Sequence, residues 1–240
     1  MEHVIFDGVD LASRFTCLVT SRPMPSLEAN TEHVSGADYL IPRGASVLPQ
    51  PIVVKLVMGV ADEAARRDAA HYLGGILYAK EPKRLSLSSD DGLYCMAIVS
   101  GQPDMHELVR TGYVYVTFQP MHAALYGTTR TATIPSGGSV TVTVGGNYPT
   151  RPRVQAPNAI RNTSSGVWGI RLDEGDFIHV PLSATSRVDA DSDTRVCTVN
   201  GAITMPTLDS SWLEMAPGTH TLRNDQGSGA STVTWIERWL

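Results

Sequence analysis

Alternating apolar and polar residues run through most of the chain and predict short β-strands. Val114, Val116 and Phe118, for example, occupy every second position of one segment. A period of two directs one face of a strand into a core. The strands predicted from alternation or from short runs of apolar and β-branched residues are Val4–Phe6, Thr16–Thr20, Pro51–Met58, Leu85–Ser88, Leu93–Val99, Gly112–Gln119, Val140–Val144, Val167–Leu172, Phe177–Leu182, Arg195–Val199, Gly218–Arg223 and Thr232–Trp239.

One segment has the three- and four-residue period of a helix instead. It spans Asp62–Ala79, with Asp62 as the predicted N-cap and Pro82 beyond its end. An apolar stripe along it predicts the face that packs on a sheet. The stripe consists of Ala65, Ala69, Tyr72, Leu73, Ile76 and Leu77.

The helical period disappears after about residue 127, and only strand and turn signals follow. Several strands at spacings of 8–15 residues are typical of a β-sandwich. We therefore predict a mainly β chain of two domains. Residues 1–129 form an N-terminal β-domain with one α-helix, and residues 130–240 form a C-terminal β-sandwich.

Residues 21–51 have little period and contain five prolines, so the sequence predicts an irregular, extended segment. A structureless connection of this length is uncommon in a compact domain and usually has a function.

Composition and charge exclude several classes of protein. The 240 residues carry a net charge of −5, which disfavours a nucleic-acid-binding protein. No apolar run is long enough to span a bilayer, and the first residues lack the apolar segment of a signal peptide. The three widely spaced cysteines disfavour a disulfide framework and favour folding in a reducing cytoplasm.

Candidate chemistry is sparse, and we expect no catalytic, cofactor or metal site. Asp189, Asp191 and Asp193 resemble the start of a calcium loop, but Thr194 replaces its glycine, so a polar turn is favoured. The seven histidines show no metal-ligand spacing, and no nucleophile motif, phosphate loop or pair of catalytic carboxylates is recognisable.

Four tryptophans, Trp168, Trp212, Trp235 and Trp239, lie in the C-terminal half. They are predicted to fill the sandwich core or to contact a partner. An exposed aromatic platform for a sugar is the alternative, although no strand carries the polar set that such a site needs.

Several segments, in order, resemble the distal tail (Dit) proteins of long-tailed siphophages, which form a baseplate hub. Phe6–Leu11 is similar to the opening element of that family, and Val34–Asp38 followed by Ile52–Val57 to its loop and strand. Arg84–Tyr94 is similar to its hairpin, and Asn200–His220 to its closing segment. His220 departs from the asparagine that is common in relatives.

The resemblance implies a homohexameric ring without catalysis. The N-terminal domain would build the ring and carry an extended arm, and the C-terminal domain would be a galectin-like sandwich. One ring face would meet the tail tube protein, and the other a tail-tip or receptor-binding protein. The expected location is the virion tail tip, after folding in the host cytoplasm, with neither nucleic-acid binding nor membrane insertion.

A closed ring requires two different patches on each subunit. We predict that the arm supplies one of them, around Val34, Tyr39, Leu40 and Ile41. The alternative function is a carbohydrate-binding module that recognises a host-surface saccharide through the C-terminal sandwich.

Overall fold

A computed structural model describes residues 2–36, 38–59 and 62–240 of the chain. Ala37, which belongs to the family-like segment Val34–Asp38, lies outside the described residues. Internal contacts divide the chain into an N-terminal unit that ends at Tyr126 and a C-terminal unit, Gly127–Trp239. The predicted cut after residue 129 lies three residues further along. Neither helix in the described part of the chain is long and apolar enough to cross a membrane.

A seven-stranded antiparallel sheet forms the N-terminal unit, in the order β2-β1-β7-β8-β9-β6-β3. One face of β6, β7 and β9 is buried, as the sequence predicts; in β9, Val114, Val116 and Phe118 all lie in the core. The strands are β1 (Val4–Phe6), β2 (Val9–Asp10), β3 (Thr16–Ser21), β6 (Ile52–Val57), β7 (Lys83–Leu87), β8 (Cys95–Ser100) and β9 (Tyr113–Pro120).

Helix α1 spans Glu63–Leu77, and Asp62 caps it through a hydrogen bond of 2.8 Å from the Ala65 backbone N–H. Its buried residues Ala69, Leu73 and Leu77 join the core of the sheet, as the apolar stripe predicts. A second helix, α2 (Met105–Thr111), was not predicted, because seven residues are too few to show a helical period.

The expectation of an irregular segment at residues 21–51 is wrong. This part of the chain contains two antiparallel strands, β4 (Ser26–His33) and β5 (Leu40–Leu48), which pair with each other and with no other strand of the described residues. The residues of β4 are all exposed. Since neither face of the pair enters a core, the sequence lacks the pattern by which the other strands were found.

Two sheets form the C-terminal unit, in the orders β10-β19-β12-β15-β16-β17 and β11-β18-β13-β14. Buried residues of both sheets share one core, so the unit is a sandwich. This arrangement confirms the predicted mainly β fold class. The strands are β10 (Leu125–Ile134), β11 (Ser139–Val144), β12 (Arg153–Ala159), β13 (Val167–Leu172), β14 (Phe177–Pro181), β15 (Ser186–Asp191), β16 (Val196–Val199), β17 (Ala202–Ile203), β18 (Gly218–Gln226) and β19 (Ser231–Trp239).

Candidate subunit interface

The β4–β5 hairpin is an arm inserted between two neighbouring strands of the N-terminal sheet. Strand β3 leads into it and β6 leaves it, and these two strands pair with each other, Thr16 opposite Val57. The hairpin therefore starts and ends at the same place on the sheet. We call β4, β5 and the turn between them the arm. Its eight-residue strand β4 gives it a length of about 26 Å.

The strand register separates the arm into an apolar and a polar face. Leu27 lies opposite Val47, Ala29 opposite Ala45, and further along Thr31 opposite Pro42 and His33 opposite Leu40. Residues directly opposite each other share a face. These eight residues form what we call the apolar face of the arm. A bulge between Asn30 and Thr31 interrupts the pairing, at the point where Gly44 adopts a positive φ.

The predicted interface residues cluster at the far end of the arm. The side chains of Tyr39, Leu40 and Val34 are 65%, 56% and 37% exposed, respectively, and Leu40 belongs to the apolar face. Ile41 is partly buried and pairs with Glu32, so it lies on the polar face. Three of the four predicted residues therefore present an apolar surface to solvent.

Other members of this surface were missed from the sequence. Leu27 is 70% exposed and lies near the base of the arm, opposite Val47. The signal that could have found them is the alternation of Leu27, Ala29 and Thr31 with polar residues, which is weak because alanine and threonine are only slightly apolar. The pairing across the hairpin, not the sequence of either strand alone, assembles the face.

Some of the charged groups on the arm form an ion pair with each other, and others have no partner of opposite charge within the described residues. Arg43 forms an ion pair with Glu32 across the hairpin. At the base, the Gln50 side-chain amide donates a hydrogen bond of 2.7 Å to Ser26 Oγ. Glu28 and Asp38 make no ion pair within the described residues. The arm therefore carries two exposed carboxylates that its own chain does not neutralise.

The aspartate-rich loop of the C-terminal unit is a turn whose carboxylates are occupied by protein groups. Asp189 accepts two hydrogen bonds from Arg153, at 2.8 and 2.6 Å, and these hold its pKa below the usual range. Asp191 accepts the backbone N–H of Asp193 at 2.9 Å. Asp193 accepts from the buried Arg238 at 2.8 Å. The carboxylates therefore stabilise the loop and its neighbours.

His220 is held between two acceptors. Its Nδ1 is 2.8 Å from Asp173 Oδ2, and its Nε2 is 2.7 Å from the Ala216 carbonyl oxygen. Only the protonated ring can donate from both nitrogens. Burial lowers the His220 pKa, but the hydrogen bonds to Asp173 and Ala216 outweigh it and raise the pKa above its ordinary value. The bond from His220, with one from the Thr221 N–H, lowers the Asp173 pKa.

A second polar cluster lies on the outer face of the four-stranded sheet. Asp225 accepts two hydrogen bonds from Arg171, at 2.8 and 3.0 Å, and its Oδ2 is 2.6 Å from His179 Nε2. The ring of Phe177 lies 4.6 Å from the Arg171 guanidinium and 4.3 Å from the His179 ring. Ser210 contacts the backbone of His179 rather than its ring. This arrangement therefore lacks the nucleophile of a hydrolase.

Tryptophans and cysteines of the chain are mostly core residues. Trp168 and Trp235 are buried in the sandwich, as predicted, whereas Trp212 packs at its margin and Trp239 is partly exposed. The three cysteines are buried and unpaired, and burial raises the pKa of each thiol to about 11. They are therefore poor nucleophiles near neutral pH.

Solved structures of phage tail proteins share the fold of nearly the whole chain. The chain superposes on the crystal structure of the Dit protein (gp 19.1) of phage SPP1 with a TM-score of 0.76 and 19% identity, covering 100% of both chains. That protein is described as a paradigm of the hub adsorption apparatus in phages that infect Gram-positive bacteria. Two structures of the phage p2 baseplate, with calcium and with strontium, match 98% of both chains, with TM-scores of 0.55 and 0.54 and identities of 10% and 11%.

At these low identities the structural matches show a shared fold. No curated protein sequence matches the chain significantly. A family model does match in sequence: the siphovirus-type tail component, C-terminal domain, covers residues 145–239. Those residues hold most of the sandwich, including β12 to β19. The C-terminal part of the chain is therefore similar in sequence to the siphovirus-type tail component family, and the predicted resemblance to the siphophage distal tail proteins is confirmed.

Proposed function

We propose that this protein is a structural distal tail protein that forms the hub ring at the tip of a long, non-contractile phage tail. The observation that carries the proposal is the exposed arm, with its uncovered apolar face, in a chain whose full length shares the fold of a phage hub protein. An exposed apolar surface of this kind indicates a site of assembly.

The ring contains six copies of the chain and closes through a heterologous contact. Such a contact joins two different patches, so the arm of one subunit lies on another part of its neighbour. Val34, Tyr39 and Leu40 at the end of the arm supply the first patch, with Leu27 near its base. Ile41 takes part from the polar face of the same hairpin.

The remaining roles follow from the position of such a hub. One face of the ring binds the tail tube protein, and the other binds a tail-tip or receptor-binding protein. The chain folds in the host cytoplasm before it joins the virion tail tip, which suits its three buried, reduced cysteines. The protein acts by assembly and not by catalysis, and we assign no cofactor and no metal to it.

Saccharide binding by the galectin-like C-terminal sandwich is the second candidate function. The outer-face cluster favours it, because Phe177 offers an aromatic ring beside the planar polar groups of Arg171 and His179. Binding of the full-length protein to host cell-wall polysaccharide, and its loss in Phe177→Ala with the ring intact, would support this function. Equal binding by both proteins would reject it.

Native mass spectrometry of the full chain tests the ring. Six chains of 25.9 kDa give about 155 kDa, and negative-stain images should show a closed ring. Leu27→Asp, on the apolar face, is expected to give monomers. Ser46→Asp is the matched control, since it adds the same charge to the polar face of the arm and should leave six copies. Six copies with Leu27→Asp, or a monomeric wild-type chain at micromolar concentration, would contradict the proposal.

A shortened chain gives a second test of the arm. Because β3 and β6 are antiparallel neighbours, a four-residue turn in place of residues 22–51 can join them without disturbing the sheet. This variant should keep the circular dichroism and melting behaviour of a folded protein and remain monomeric. A six-membered ring formed without the arm would be incompatible with the proposed contact.

A further inference from the structure

Large apolar side chains are exposed next to one another at one edge of the C-terminal unit. Ile203 on β17 and Met205 just after it are 79% and 80% exposed, and Leu208 is completely exposed. Val196 on the neighbouring strand β16 also belongs to the exposed residues. A cluster of this kind differs from the single exposed apolar residues of an ordinary surface and marks an interaction site. We call these four residues the edge surface.

Backbone hydrogen bonds hold the edge surface in place. Strand β17 ends the six-stranded sheet and β14 ends the four-stranded sheet, and the segment after β17 joins these two edges. The Thr204 N–H donates to a carbonyl oxygen on β16, and the N–H groups of Thr207 and Ser211 donate to carbonyl oxygens on β14, each at 2.9 Å. Met205 and Leu208 are therefore displayed by an anchored segment and not by a free loop.

The outer edge of β17 is free to accept another strand. Within the described residues, no strand pairs with this side of β17. The bond from Thr204 to Cys197 makes these two residues a hydrogen-bonded pair, and such pairs alternate along an antiparallel ladder. The N–H and C=O of Ile203, which lies opposite Thr198, therefore point away from β16. An extended peptide can bond to them by adding a strand to the sheet.

A cavity of about 280 Å³ opens beside this edge. Its walls include the buried Ile178 of β14 and the partly buried Trp212, together with Val196, Met205 and Leu208 of the edge surface. A cavity of about 150 Å³ accommodates a benzene-sized group, so this cavity can receive a large aliphatic or aromatic side chain. An apolar anchor in such a pocket supplies much of the binding energy at protein interfaces.

Two arginines beside the edge surface have no carboxylate partner. Arg195 lines the cavity, and the Arg187 carbonyl oxygen accepts the Asn200 N–H in the turn before β17. Both side chains are exposed, and neither forms an ion pair within the residues that the structure describes. Arg195 has a φ of 57°, a region that glycine and asparagine adopt more readily, so the backbone does not favour arginine there. The anchored segment supplies one carboxylate, Asp209, and two guanidiniums against one carboxylate favour an acidic partner.

We propose that the edge surface binds an extended, acidic segment of another protein. The segment adds a strand at β17 through the Ile203 backbone and places a large apolar side chain in the cavity. Its carboxylates pair with Arg195 and Arg187. The C-terminal unit carries every residue of this surface, so the proposal goes beyond the hub ring and does not depend on it.

Selection from a library of random dodecapeptides tests the chemistry of the partner. The full-length protein and its Leu208→Asp variant are immobilised separately, after circular dichroism has shown that both are folded. Wild type should enrich peptides that combine carboxylates with a large apolar residue, and the variant should not. Enrichment of no peptide, of basic peptides, or of the same peptides on both proteins would overturn the proposal.

Fluorescence anisotropy with the selected peptide, made synthetically, tests the individual contacts. Arg195→Glu and Leu208→Asp should each raise the dissociation constant of the peptide at least about tenfold. Ile160→Asp is the matched control, because Ile160 is an exposed apolar residue elsewhere in the same unit, and it should leave the constant unchanged. Replacing the carboxylates of the peptide by amides should weaken its binding to wild type by a similar factor. Equal dissociation constants for Arg195→Glu and Ile160→Asp would count against the edge surface.

Hydrogen exchange tests the backbone contact. The Ile203 amide should exchange at least about tenfold more slowly with the peptide bound, because its N–H gains an acceptor. The Thr204 amide already donates to the Cys197 carbonyl oxygen and is the internal control. Unchanged exchange at Ile203 in the complex would reject the added strand.

A second copy of the chain is the other occupant to be distinguished. Native mass spectrometry of Leu208→Asp should show the same number of copies as wild type. A loss of copies in this variant would reassign the edge surface to a contact between subunits and overturn the proposal. A wild-type chain that stays monomeric would reject the proposed ring, but it would leave the peptide-binding result standing.

Discussion

The stability of the C-terminal sandwich should depend on the protonation of His220, and this dependence can be measured. The two acceptors of its ring, Asp173 and the Ala216 carbonyl, can both be satisfied only by the imidazolium form. We consider His220→Gln, whose side chain can donate a hydrogen bond but carries no charge. The variant should lose the stabilisation that the charged imidazolium provides. It should keep the contribution to stability that depends only on the size of the side chain.

The size of the effect follows from burial. A hydrogen bond between charged groups contributes about 1.5–3 kcal/mol when it is shielded from water. The His220 side chain is 15% exposed, but that of Asp173 is 48% exposed, so solvent screening reduces the contribution to about 1 kcal/mol. In a unit of this size that is a shift of about 4 °C in melting temperature.

The pH dependence has a definite sign. Because the pKa of His220 is higher in the folded than in the unfolded chain, the folded protein binds the proton more tightly. The stabilisation is fully present below the ordinary histidine pKa of about 6.5 and is lost as pH rises through the folded-state pKa. Asp173, whose pKa is lowered, stays ionised throughout this range.

Scanning calorimetry of the full chain at pH 5.5 and pH 8.5 measures the effect. Wild type should exceed His220→Gln by about 4 °C in the C-terminal transition at pH 5.5, and by less than about 1 °C at pH 8.5. His71→Gln, an exposed position on α1, is the control and should change neither value. A difference that is independent of pH, or that grows towards pH 8.5, would refute the assignment of a protonated ring.

Two glycines give further predictions. Gly169→Ala would place a Cβ 2.3 Å from the His179 ring and 2.8 Å from the Ile178 carbonyl oxygen. We therefore expect urea unfolding to show that this variant loses at least about 2 kcal/mol of stability. Gly175→Ala is the control, because the nearest atom to its Cβ would be 3.9 Å away, and it should change stability by less than about 0.5 kcal/mol. Gly75→Ala on α1 meets no atom within 4 Å and should stabilise the N-terminal unit by about 0.5–1 kcal/mol in the same assay; a loss of stability there would show that the helix does not tolerate the methyl group.

The sequence predicted those strands that bury one face. Strands β6, β9 and β13 were all located within two residues, β9 from the alternation of its core residues and β6 from a continuous apolar run. The arm has no buried face, so its strands carry no such pattern, and only its length and prolines marked it. Its length and prolines marked the segment as a candidate functional element, although its secondary structure was predicted wrongly.

The candidate interface was predictable only at one end. Tyr39 and Leu40 stand out in the sequence as large apolar residues in a polar segment. Leu27 and Val47 lie twenty residues apart, and only the hairpin register brings them onto one face. The burial of β6 was mispredicted for a related reason: the sequence places Val53 and Val57 in a fully buried strand, whereas in the structure they are only partly buried and the other side of the strand enters the core.

A ring that closes through heterologous contacts, as proposed, has a consequence for assembly. In the proposed contact, an open row of subunits always leaves one arm and one arm-binding patch uncovered at its ends. A closed ring covers every arm and every arm-binding patch, so closure adds one more contact without ordering a further subunit. Rings should therefore dominate over open intermediates, and native spectra taken during dilution should pass from six copies to monomers with few species between.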